Sequence, residues 1–539
     1  MKKEADLNQT DKTLNFWFCV GLLVVLFISM IARDVARPFY GLHSWAQASG
    51  AWAARSHVRY GLSYTKGVST WAVGYPPKAA PQRYWDHPQL NVLVAAGCMK
   101  IFGINEWASG IGVITVDVLA LLIFILMVRD ISSDMVAIIS AAIYILFPLT
   151  SYFGIGSWGP MLGYLSMWLY LIITGYTART PKKFHYICLA AALFLGIQFD
   201  WSVFFFAMGI GVHCVLVCLI KRKPLNWPLL IVLAAAPACS MLLNFIIMAA
   251  GYNWDVSKIT ELYKWRSAKG EMPEFKWDDW FKQLRVFAVT NFTIPALIAA
   301  IAYLTIGQFF VFTTPKDKAG KKALQFPCFW LFFLIPLFQL FILRGCLWKH
   351  QTWEQPLAPL TAIAVTLAIL TIDDILKKTH RYLAFAADGL LVIILLISCI
   401  IGTHYYYAIR WQPEAKIKMF KTLNKAIPPD KALLSFEDFI VNQHEAKGGF
   451  IRPEIAWYLD RDIVPATTFQ QVQELAKTGE YPFYLVPYHP NLAELINQLK
   501  QLYKYEYIPG DPGETTKDGK FLKAGMMPYM IFDLTSKVQ

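Results

Sequence analysis

The feature that most constrains this chain is a series of long apolar segments that recurs along most of its length. A helix that spans the hydrocarbon core of a bilayer needs roughly 20 mostly apolar residues. Segments of this kind lie at about 14–32, 107–128, 134–152, 158–177, 184–199, 201–220, 227–250, 287–312, 326–343, 356–373 and 383–408. The sequence therefore predicts an α-helical polytopic membrane protein with about eleven transmembrane helices.

The composition indicates the same class. Hydrophobic residues make up 56% of the 539 residues and charged residues only 16%, and the mean hydropathy is +0.40. Soluble proteins of this length carry far more charge. The formal net charge of +13 would suggest nucleic-acid binding in a soluble protein. Here the basic residues concentrate in short loops between apolar segments, so we expect no nucleic-acid partner.

The orientation follows from lysine and arginine, which are enriched in the cytoplasmic loops of membrane proteins. If the N-terminus is cytoplasmic, six basic clusters share that side. The extracytoplasmic side then holds the loops 33–88 and 251–286, the connection 344–355 and the tail from about 410. We predict a multi-pass protein of the cell inner (cytoplasmic) membrane, whose first apolar segment is a retained signal anchor.

The chain changes character at about residue 411, where charged residues and turns become frequent. Strand-like runs at 431–436, 482–488 and 528–534 alternate with helix-like stretches near 452–460, 467–478 and 490–504. This alternation predicts a small extracytoplasmic (periplasmic) α/β domain at 411–539, which follows a transmembrane domain at 1–410.

Motifs of soluble catalysis are missing from the sequence. There is no P-loop, GxGxxG, HExxH or nucleophile elbow, so ATP-driven transport and soluble hydrolase chemistry have no support. The nine cysteines lack metal-type spacing and sit mostly in apolar segments, which indicates packing residues. A formal glycosylation sequon, Asn291-Phe292-Thr293, lies at a predicted membrane edge.

Ionisable side chains follow the first apolar segment, where a simple membrane anchor would not need them. Asp34, His43, Asp86 and His87 lie in the loop 33–88, and each is costly to desolvate unless it pairs or takes part in chemistry. Pro88 predicts a helix start just after Asp86 and His87, where free backbone amides stabilise anionic ligands. This loop is therefore the first place to look for function.

Aromatic residues accompany these charges in both long outer loops. Trp45, Ala48, Trp52 and Arg55 recur at helical spacing, which predicts a helix lying flat at headgroup depth. The loop 251–286 repeats this chemistry with Tyr252, Trp254, Tyr263, Trp265, Arg266, Trp277 and Trp280. Such a surface could bind a lipid headgroup and its first isoprene units, although interfacial aromatic residues are common in all membrane proteins.

Several short motifs, taken in order, resemble a known enzyme class. The segments 84–90 (Tyr-Trp-Asp-His-Pro-Gln-Leu) and 100–108 (Lys-Ile-Phe-Gly-Ile-Asn-Glu-Trp-Ala) are similar to segments of GT-C membrane glycosyltransferases. The similarity is to the branch that contains protein O-mannosyltransferases and the bacterial lipid A aminoarabinose transferase. Further matches to this branch are His43-Ser44-Trp45, Asp200-Trp201 and His350-x-x-Trp353-x-x-Pro356-Leu357-Ala358-Pro359. The resemblance covers about residues 14–405, and the C-terminal α/β domain also fits it.

The resemblance implies a GT-C fold and the transfer of a sugar from a polyprenyl-phosphate carrier to an acceptor hydroxyl at the outer face. The acceptor would be a glycan, a lipid or a protein. In these enzymes the acceptor attacks the anomeric carbon directly, normally with inversion. A first-loop carboxylate serves as base, and basic residues hold the departing phosphate.

The resemblance leaves the identity of the base open. Related enzymes begin the first-loop helix with Asp-Glu, whereas this chain has His43-Ser44 there. Asp34 and Asp86 are then the two candidate catalytic bases, with Asp200 and His43 as further alternatives. Asp34 could instead pair with the arginines at 33 and 37, and Asp200 could merely cap a helix. The residues expected to bind the donor and its phosphate are His43, His87, Asp200, Arg266, Lys349 and His350.

The glycosyltransferase activity that the resemblance implies requires no cofactor. Asp86 and His87 could hold a divalent metal ion, yet this branch looks metal-independent. Two alternative functions remain open. A transporter or flippase of lipid-linked saccharides would place ionisable groups near the middle of the bilayer. A non-catalytic membrane assembly partner would explain an outer domain but not the Asp and His residues at helix ends.

Overall fold

The computed structural model forms two compact units, each assembled from separate stretches of the chain. It describes residues 2–79, 81–84, 87–154, 157–251, 254, 255, 257, 276–307, 326–347, 350–437, 439–441, 450–515 and 521–538. The first unit, here called the helical unit, comprises Met1–Val35, Asp86–Asn91 and Gly110–Tyr406. The second, here called the mixed unit, comprises Ala36–Trp85, Val92–Ser109 and Tyr407–Gln539.

Helices dominate the described residues. In chain order they are α1 (Lys2–Ile31), α2 (Ser44–Thr65), α3 (Leu90–Phe102), α4 (Glu106–Ile131), α5 (Asp134–Leu146), α6 (Pro148–Phe153), α7 (Trp158–Ile173), α8 (Lys183–Phe199), α9 (Ser202–Ile220), α10 (Trp227–Gly251), α11 (Trp277–Phe292), α12 (Ile294–Ala302), α13 (Phe326–Ile342), α14 (Arg344–Leu347), α15 (Leu357–Thr379), α16 (Arg381–Ala408), α17 (Glu414–Ala426), α18 (Pro453–Leu459), α19 (Phe469–Lys477) and α20 (Ala493–Leu502). Short 3-10 turns cover Ala32–Asp34, Gln351–Glu354 and Pro490–Leu492, and a π-helical turn covers Tyr303–Gly307.

The predicted apolar segments all fall on helices within the described residues. In the part of the chain that the structure describes, six helices contain a segment long and apolar enough to cross a membrane: α1, α4, α9, α10, α15 and α16. Five shorter apolar helices have 10–17 residues: α3, α5, α7, α8 and most of α13. The chain is therefore a multi-pass α-helical membrane protein, as its sequence predicts.

Two predicted spans are interrupted. Phe147 adopts an extended conformation between α5 and α6, as expected for a residue that precedes proline. Thr293, with φ of 69°, separates α11 from α12. The helical segments before and after it differ in direction by 104°. One continuous span over 287–312 is therefore wrong, because Pro295 lacks an N–H group and fits only the first turn of a new helix.

The surface of the helical unit is apolar where lipid would contact it. In α16, Leu390, Ile393, Ile397 and Ile401 are all exposed. An apolar surface of this extent on a soluble protein would drive association, whereas hydrocarbon chains solvate it in a bilayer. Trp280 of α11 behaves differently: it is fully buried and packs against protein, contrary to the predicted contact with lipid headgroups.

The mixed unit contains the C-terminal strands and the first outer loop. Its strands are β1 (Thr70–Trp71), β2 (Gln82–Arg83), β3 (Leu433–Ser435), β4 (Ile440–Val441), β5 (Phe450–Ile451), β6 (Ile463–Pro465), β7 (Phe483–Pro487), β8 (Tyr503–Ile508), β9 (Glu514–Thr515), β10 (Phe521–Lys523) and β11 (Tyr529–Lys537). Five of them form one sheet in the order β6-β3-β7-β11-β8. The β6, β3 and β7 strands are parallel, whereas β11 pairs antiparallel with β7 and β8.

The α/β character predicted for 411–539 is confirmed by these elements. The predicted strands coincide with β3, β7 and β11, and the predicted helices coincide with α18, α19 and α20. Alternate residues of each strand pack on opposite faces of the sheet. The start of the domain at about residue 411 remains a prediction, because the mixed unit also includes part of the first outer loop.

The α2 helix forms where aromatic spacing predicted it, but its environment differs. Trp52 is buried, and its indole Nε1 donates a hydrogen bond of 2.6 Å to the carbonyl of Ala72. Arg55 is buried too, and it forms an ion pair of 3.1 Å with Asp460. The predicted contact of Trp52 and Arg55 with lipid headgroups is therefore wrong, because this helix face packs against protein.

Candidate functional site

The predicted site residues are distributed over both units. Asp86, Arg266 and Lys349 lie outside the described residues. Asp34 ends the 3-10 turn that follows α1, and its side chain also lies outside the described part. Their roles as candidate bases or phosphate ligands therefore stay predictions.

His43 lies in the mixed unit, directly before α2. Its backbone is left-handed, with φ of 58°, and its buried ring lies 4.8 Å from the ring of Trp411. The next residue, Ser44, donates a hydrogen bond of 2.8 Å from its hydroxyl to Oε1 of Glu454. A carboxyl group from α18 thus contacts the start of the first-loop helix.

The His87 segment and the Asp200 turn meet within the helical unit. His87 is exposed and lies three residues before α3. At the start of that helix, the Asn91 amide Nδ2 donates hydrogen bonds to the Ser157 hydroxyl at 2.9 Å and to the Phe199 carbonyl at 2.8 Å. Asn91 thus joins the entry of α3 to the start of α7 and to the end of α8, directly beside Asp200.

Asp200 forms the tight turn between α8 and α9. Its Oδ1 accepts a hydrogen bond of 2.8 Å from the backbone N–H of Ser202, which is how a short carboxylate stabilises the start of a helix. A Cβ atom at Gly159 would lie 2.3 Å from the Asp200 Cβ, so glycine is required for this close approach. The structure thus shows the predicted capping contact of Asp200, and its role in donor binding stays a prediction.

His350 directly precedes a 3-10 turn that is held by a side chain from α11. The Asn291 amide Nδ2 donates to the Gln351 carbonyl at 3.1 Å and to Oε2 of Glu354 at 2.9 Å. The amide oxygen of Asn291 accepts a hydrogen bond of 2.6 Å from the Tyr406 hydroxyl. Asn291 therefore contacts both the first and the last residue of the turn that starts after His350.

Glu354 is a buried carboxyl in this turn. Its exposed fraction is 0%, and burial raises its pKa from 4.5 to about 8, because the charged form cannot be hydrated. Among the described residues, its second oxygen, Oε1, has no hydrogen-bond partner. The adjacent Gln355 donates from its amide to the carbonyl of Gly154.

A second buried carboxyl, Asp117, lies in the middle of α4 and is 1% exposed. A Cβ atom at Gly154 would lie 1.9 Å from Oδ2 of Asp117. Gly154 also has φ of 61° and ψ of −150°, a conformation that is essentially restricted to glycine. Its missing side chain leaves room for the Asp117 carboxyl.

Four polar residues of the helical unit, Asp117, Asn291, Glu354 and Gln355, were not predicted as site residues; the first three are buried and Gln355 is partly exposed. Asp117 was recognisable as a lone carboxylate inside an apolar segment, a pattern that is functional by default in membrane proteins. Glu354 lies inside the His350 motif but has no distinctive spacing. Asn291 was visible only as a sequon, and its complete burial removes it as a glycan acceptor in the folded protein.

Metal binding has no geometric support in the described part of the chain. No group of three His, Cys, Asp or Glu side chains converges there as metal ligands. Asp86, which could bind a metal together with His87, lies outside the described residues.

Comparison with known proteins identifies similar folds but no similar sequences. No family model matches this sequence, and no curated protein matches it either. The structure of ArnT from Cupriavidus metallidurans bound to undecaprenyl phosphate is similar over 97% of this chain and 98% of that chain, with a TM-score of 0.58 and 11% identity. An oligosaccharyltransferase from Archaeoglobus fulgidus, solved in the apo form, has a TM-score of 0.53 and 12% identity over 94% of this chain and 74% of that chain.

A further structure is AglB from Archaeoglobus fulgidus in complex with an inhibitory peptide and a dolichol-phosphate. It has a TM-score of 0.50 and 11% identity, and covers 95% of this chain and 74% of that chain. Identities this low show a shared fold alone. The chain therefore shares its fold with ArnT and with this oligosaccharyltransferase, which confirms the fold that the sequence resemblance implied.

Proposed function

We propose that this protein is a membrane glycosyltransferase that moves a sugar from a polyprenyl-phosphate carrier to an acceptor hydroxyl. The observation that carries the proposal is the similarity in fold, over nearly the whole of both chains, to a protein solved with undecaprenyl phosphate. A fold alone does not establish an activity. The proposal gains support because the short motifs of the sequence resemblance point to the same class.

The reaction is a single displacement at the anomeric carbon. The acceptor oxygen forms the new bond to this carbon while the bond to the phosphate oxygen breaks, and the polyprenyl phosphate leaves with the bonding electrons. The acceptor proton passes to a carboxylate, for which Asp34 and Asp86 are the candidates. General-base assistance of this kind contributes typically 10²–10⁴-fold, and the configuration at the anomeric carbon inverts.

The departing phosphate needs hydrogen-bond donors and positive charge. We assign this role to the entry of α3, where His87 and Pro88 precede the free backbone amides of the helix, together with Arg266, Lys349 and His350. The bonds of Asn91 to Ser157 and Phe199 support this assignment, because they fix the entry of α3 relative to α7 and α8. A rigid phosphate site costs no reorganisation when charge develops.

The catalytic experiment uses purified full-length protein and labelled undecaprenyl-phosphate sugars. Asp34→Asn and Asp86→Asn keep the size of the side chain but remove proton acceptance, so we expect at least one of them to lower transfer by 10²-fold or more. Asp134→Asn is the matched control, because it makes the same change in a carboxylate of α5 that pairs with Arg129 and is not a candidate site residue. Wild-type turnover in both first-loop variants would contradict the carboxylate mechanism.

The orientation is tested by labelling single cysteines with an impermeant reagent. Gly270→Cys and Thr515→Cys should react from outside intact cells, whereas Ala319→Cys should not. This result is expected if the N-terminus is cytoplasmic and the C-terminal domain is extracytoplasmic, in the inner membrane. The opposite pattern would place the candidate site on the cytoplasmic side.

One observation favours a second function, the transport of lipid-linked saccharides. Asp117 lies eleven residues after the first residue of α4, about 17 Å along a helix that rises 1.5 Å per residue. Transporters often carry ionisable groups at this depth. Translocation of a fluorescent polyprenyl-phosphate lipid in proteoliposomes, lost in Asp117→Asn, would favour this function, whereas sugar transfer without translocation favours the enzyme.

A further inference from the structure

A buried carboxyl oxygen in the helical unit has no partner to explain it. Oε1 of Glu354 is buried and forms no hydrogen bond with any described residue. Most buried polar atoms in proteins are hydrogen-bonded, and each exception needs a physical reason. Ligand binding is one such reason, because a site built for a ligand leaves its own polar groups unpaired when the ligand is absent.

The other oxygen of Glu354 is held firmly. Oε2 accepts a hydrogen bond of 2.9 Å from Asn291, and Asn291 is fixed in turn by the Tyr406 hydroxyl at 2.6 Å. The Tyr406 ring lies 5.7 Å from the rings of both Tyr152 and Phe153. The contacts of Asn291 and Tyr406 therefore fix the orientation of the Glu354 carboxyl group. Binding groups are held in their productive geometry by supporting contacts of this kind.

The surroundings combine aromatic rings with a small number of polar groups. Gly154 contributes a backbone carbonyl that Gln355 contacts. One turn earlier in α6, the hydroxyl of Thr150 is also buried without a hydrogen-bond partner among the described residues. Ligand sites typically have this composition, with apolar walls and a few polar groups that determine orientation.

The chemistry of Glu354 narrows the class of ligand. Burial raises its pKa to about 8, so the carboxyl is mostly neutral at neutral pH and Oε1 both donates and accepts. A neutral acid attracts neither a cation nor an anion strongly, whereas an alcohol hydroxyl has the complementary donor and acceptor. Gln355 is partly exposed, so exposed surface lies one residue along the chain from Glu354.

We propose that Oε1 of Glu354 recognises a hydroxyl group of a sugar. This proposal rests on the proposed glycosyltransferase function and deepens it, because it assigns sugar recognition to a residue outside the candidate base and phosphate ligands. The sugar belongs either to the lipid-linked donor or to a saccharide acceptor. The two sources present the same chemistry, and separate arms of one experiment distinguish them.

The donor arm compares the binding of undecaprenyl phosphate with that of undecaprenyl-phosphate-linked mannose and glucose, measured by tryptophan fluorescence on purified full-length protein. The acceptor arm measures the binding of methyl mannoside and methyl glucoside. In the arm that contains the sugar bound by Glu354, Glu354→Leu should lower sugar affinity about tenfold, as expected for the loss of one hydrogen bond in a buried site. The other arm should not respond. The affinity for undecaprenyl phosphate alone should not change.

Glu354→Gln tests whether hydrogen bonding is responsible. Its amide retains the acceptor for Asn291 and places a donor at the position of Oε1, so sugar affinity should stay within about threefold of wild type. The matched control is Asp373→Asn, which alters another buried carboxyl in α15, paired with Lys377, and should leave sugar binding unchanged. Thermal unfolding of each variant verifies that it is folded.

The outcomes separate this proposal from the proposed function. If wild-type protein binds neither undecaprenyl phosphate nor its sugar-linked forms, the donor class itself is wrong. If carrier binding is intact but Glu354→Leu retains the full preference for sugar, Glu354 does not recognise a hydroxyl. Equal loss in the Leu and Gln variants also overturns the proposal, because an amide of the same reach should replace a neutral carboxyl.

Discussion

The buried ion pair of the mixed unit provides the strongest test of how that unit is held together. Arg55 of α2 donates hydrogen bonds to the carbonyls of Trp457 at 2.7 Å and Ala456 at 2.9 Å, and it pairs with Asp460 at 3.1 Å. Its guanidinium carbon lies 4.9 Å from the centre of the Trp457 ring. Burial lowers the pKa of Arg55 to about 10, so it remains charged at neutral pH.

The change to be made is Arg55→Met, which keeps most of the aliphatic side chain and removes the charge. Asp460 is 2% exposed and, among the described residues, would keep only Arg59 as an ion-pair partner. The Trp457 carbonyl also loses its side-chain donor, whereas the Ala456 carbonyl still accepts from the Asp460 N–H. Breaking one side of a buried pair costs about 3–5 kcal/mol.

The matched control is Arg59→Met, which removes the second cation from the same carboxylate. The Arg59 side chain is 38% exposed, so solvent screens its contribution, and we expect a loss of less than about 1 kcal/mol. Denaturant unfolding of the purified protein, followed by tryptophan fluorescence, measures both losses on the same scale. Equal losses for the two arginines, or a loss below about 1 kcal/mol for Arg55→Met, would refute the reasoning.

Three further predictions concern the helical unit. The free energy of unfolding should fall as pH rises from about 4.5 towards about 8, because folded Glu354 keeps a proton that the unfolded chain releases; unfolding curves of Glu354→Gln should lack this component. Gly154→Ala should destabilise the protein by about 2 kcal/mol or more, because it combines backbone strain with a clash against Asp117. Gly175→Ala, at φ of 73° but with no atom within 4 Å of the added Cβ, should cost less in the same thermal-unfolding assay. Asn291 should carry no glycan after expression in a glycosylating host, because its side chain is buried and hydrogen-bonded; a modified Asn291 peptide in mass spectrometry would contradict this.

Local patterns in the sequence determine much of the fold. Apolar runs of about 20 residues predict helices because a membrane helix must satisfy its own backbone hydrogen bonds, whatever its neighbours are. The alternation of runs in 411–539 likewise predicts β3, β7 and β11, because side chains alternate across a sheet. The helix start near Leu90 was predictable from Pro88, since proline has a preferred place at helix starts.

The candidate site depends on contacts that no local pattern encodes. Asn291 and Glu354 are separated by 63 positions, and Arg55 and Asp460 by 405. The same spacing of Trp52 and Arg55 fits either a lipid surface or a protein core, and only packing decides between them. The sequence by itself determined which segments form apolar helices and which class of enzyme the chain resembles. Tertiary structure alone decided which polar groups are buried, because burial depends on what the rest of the chain places around them.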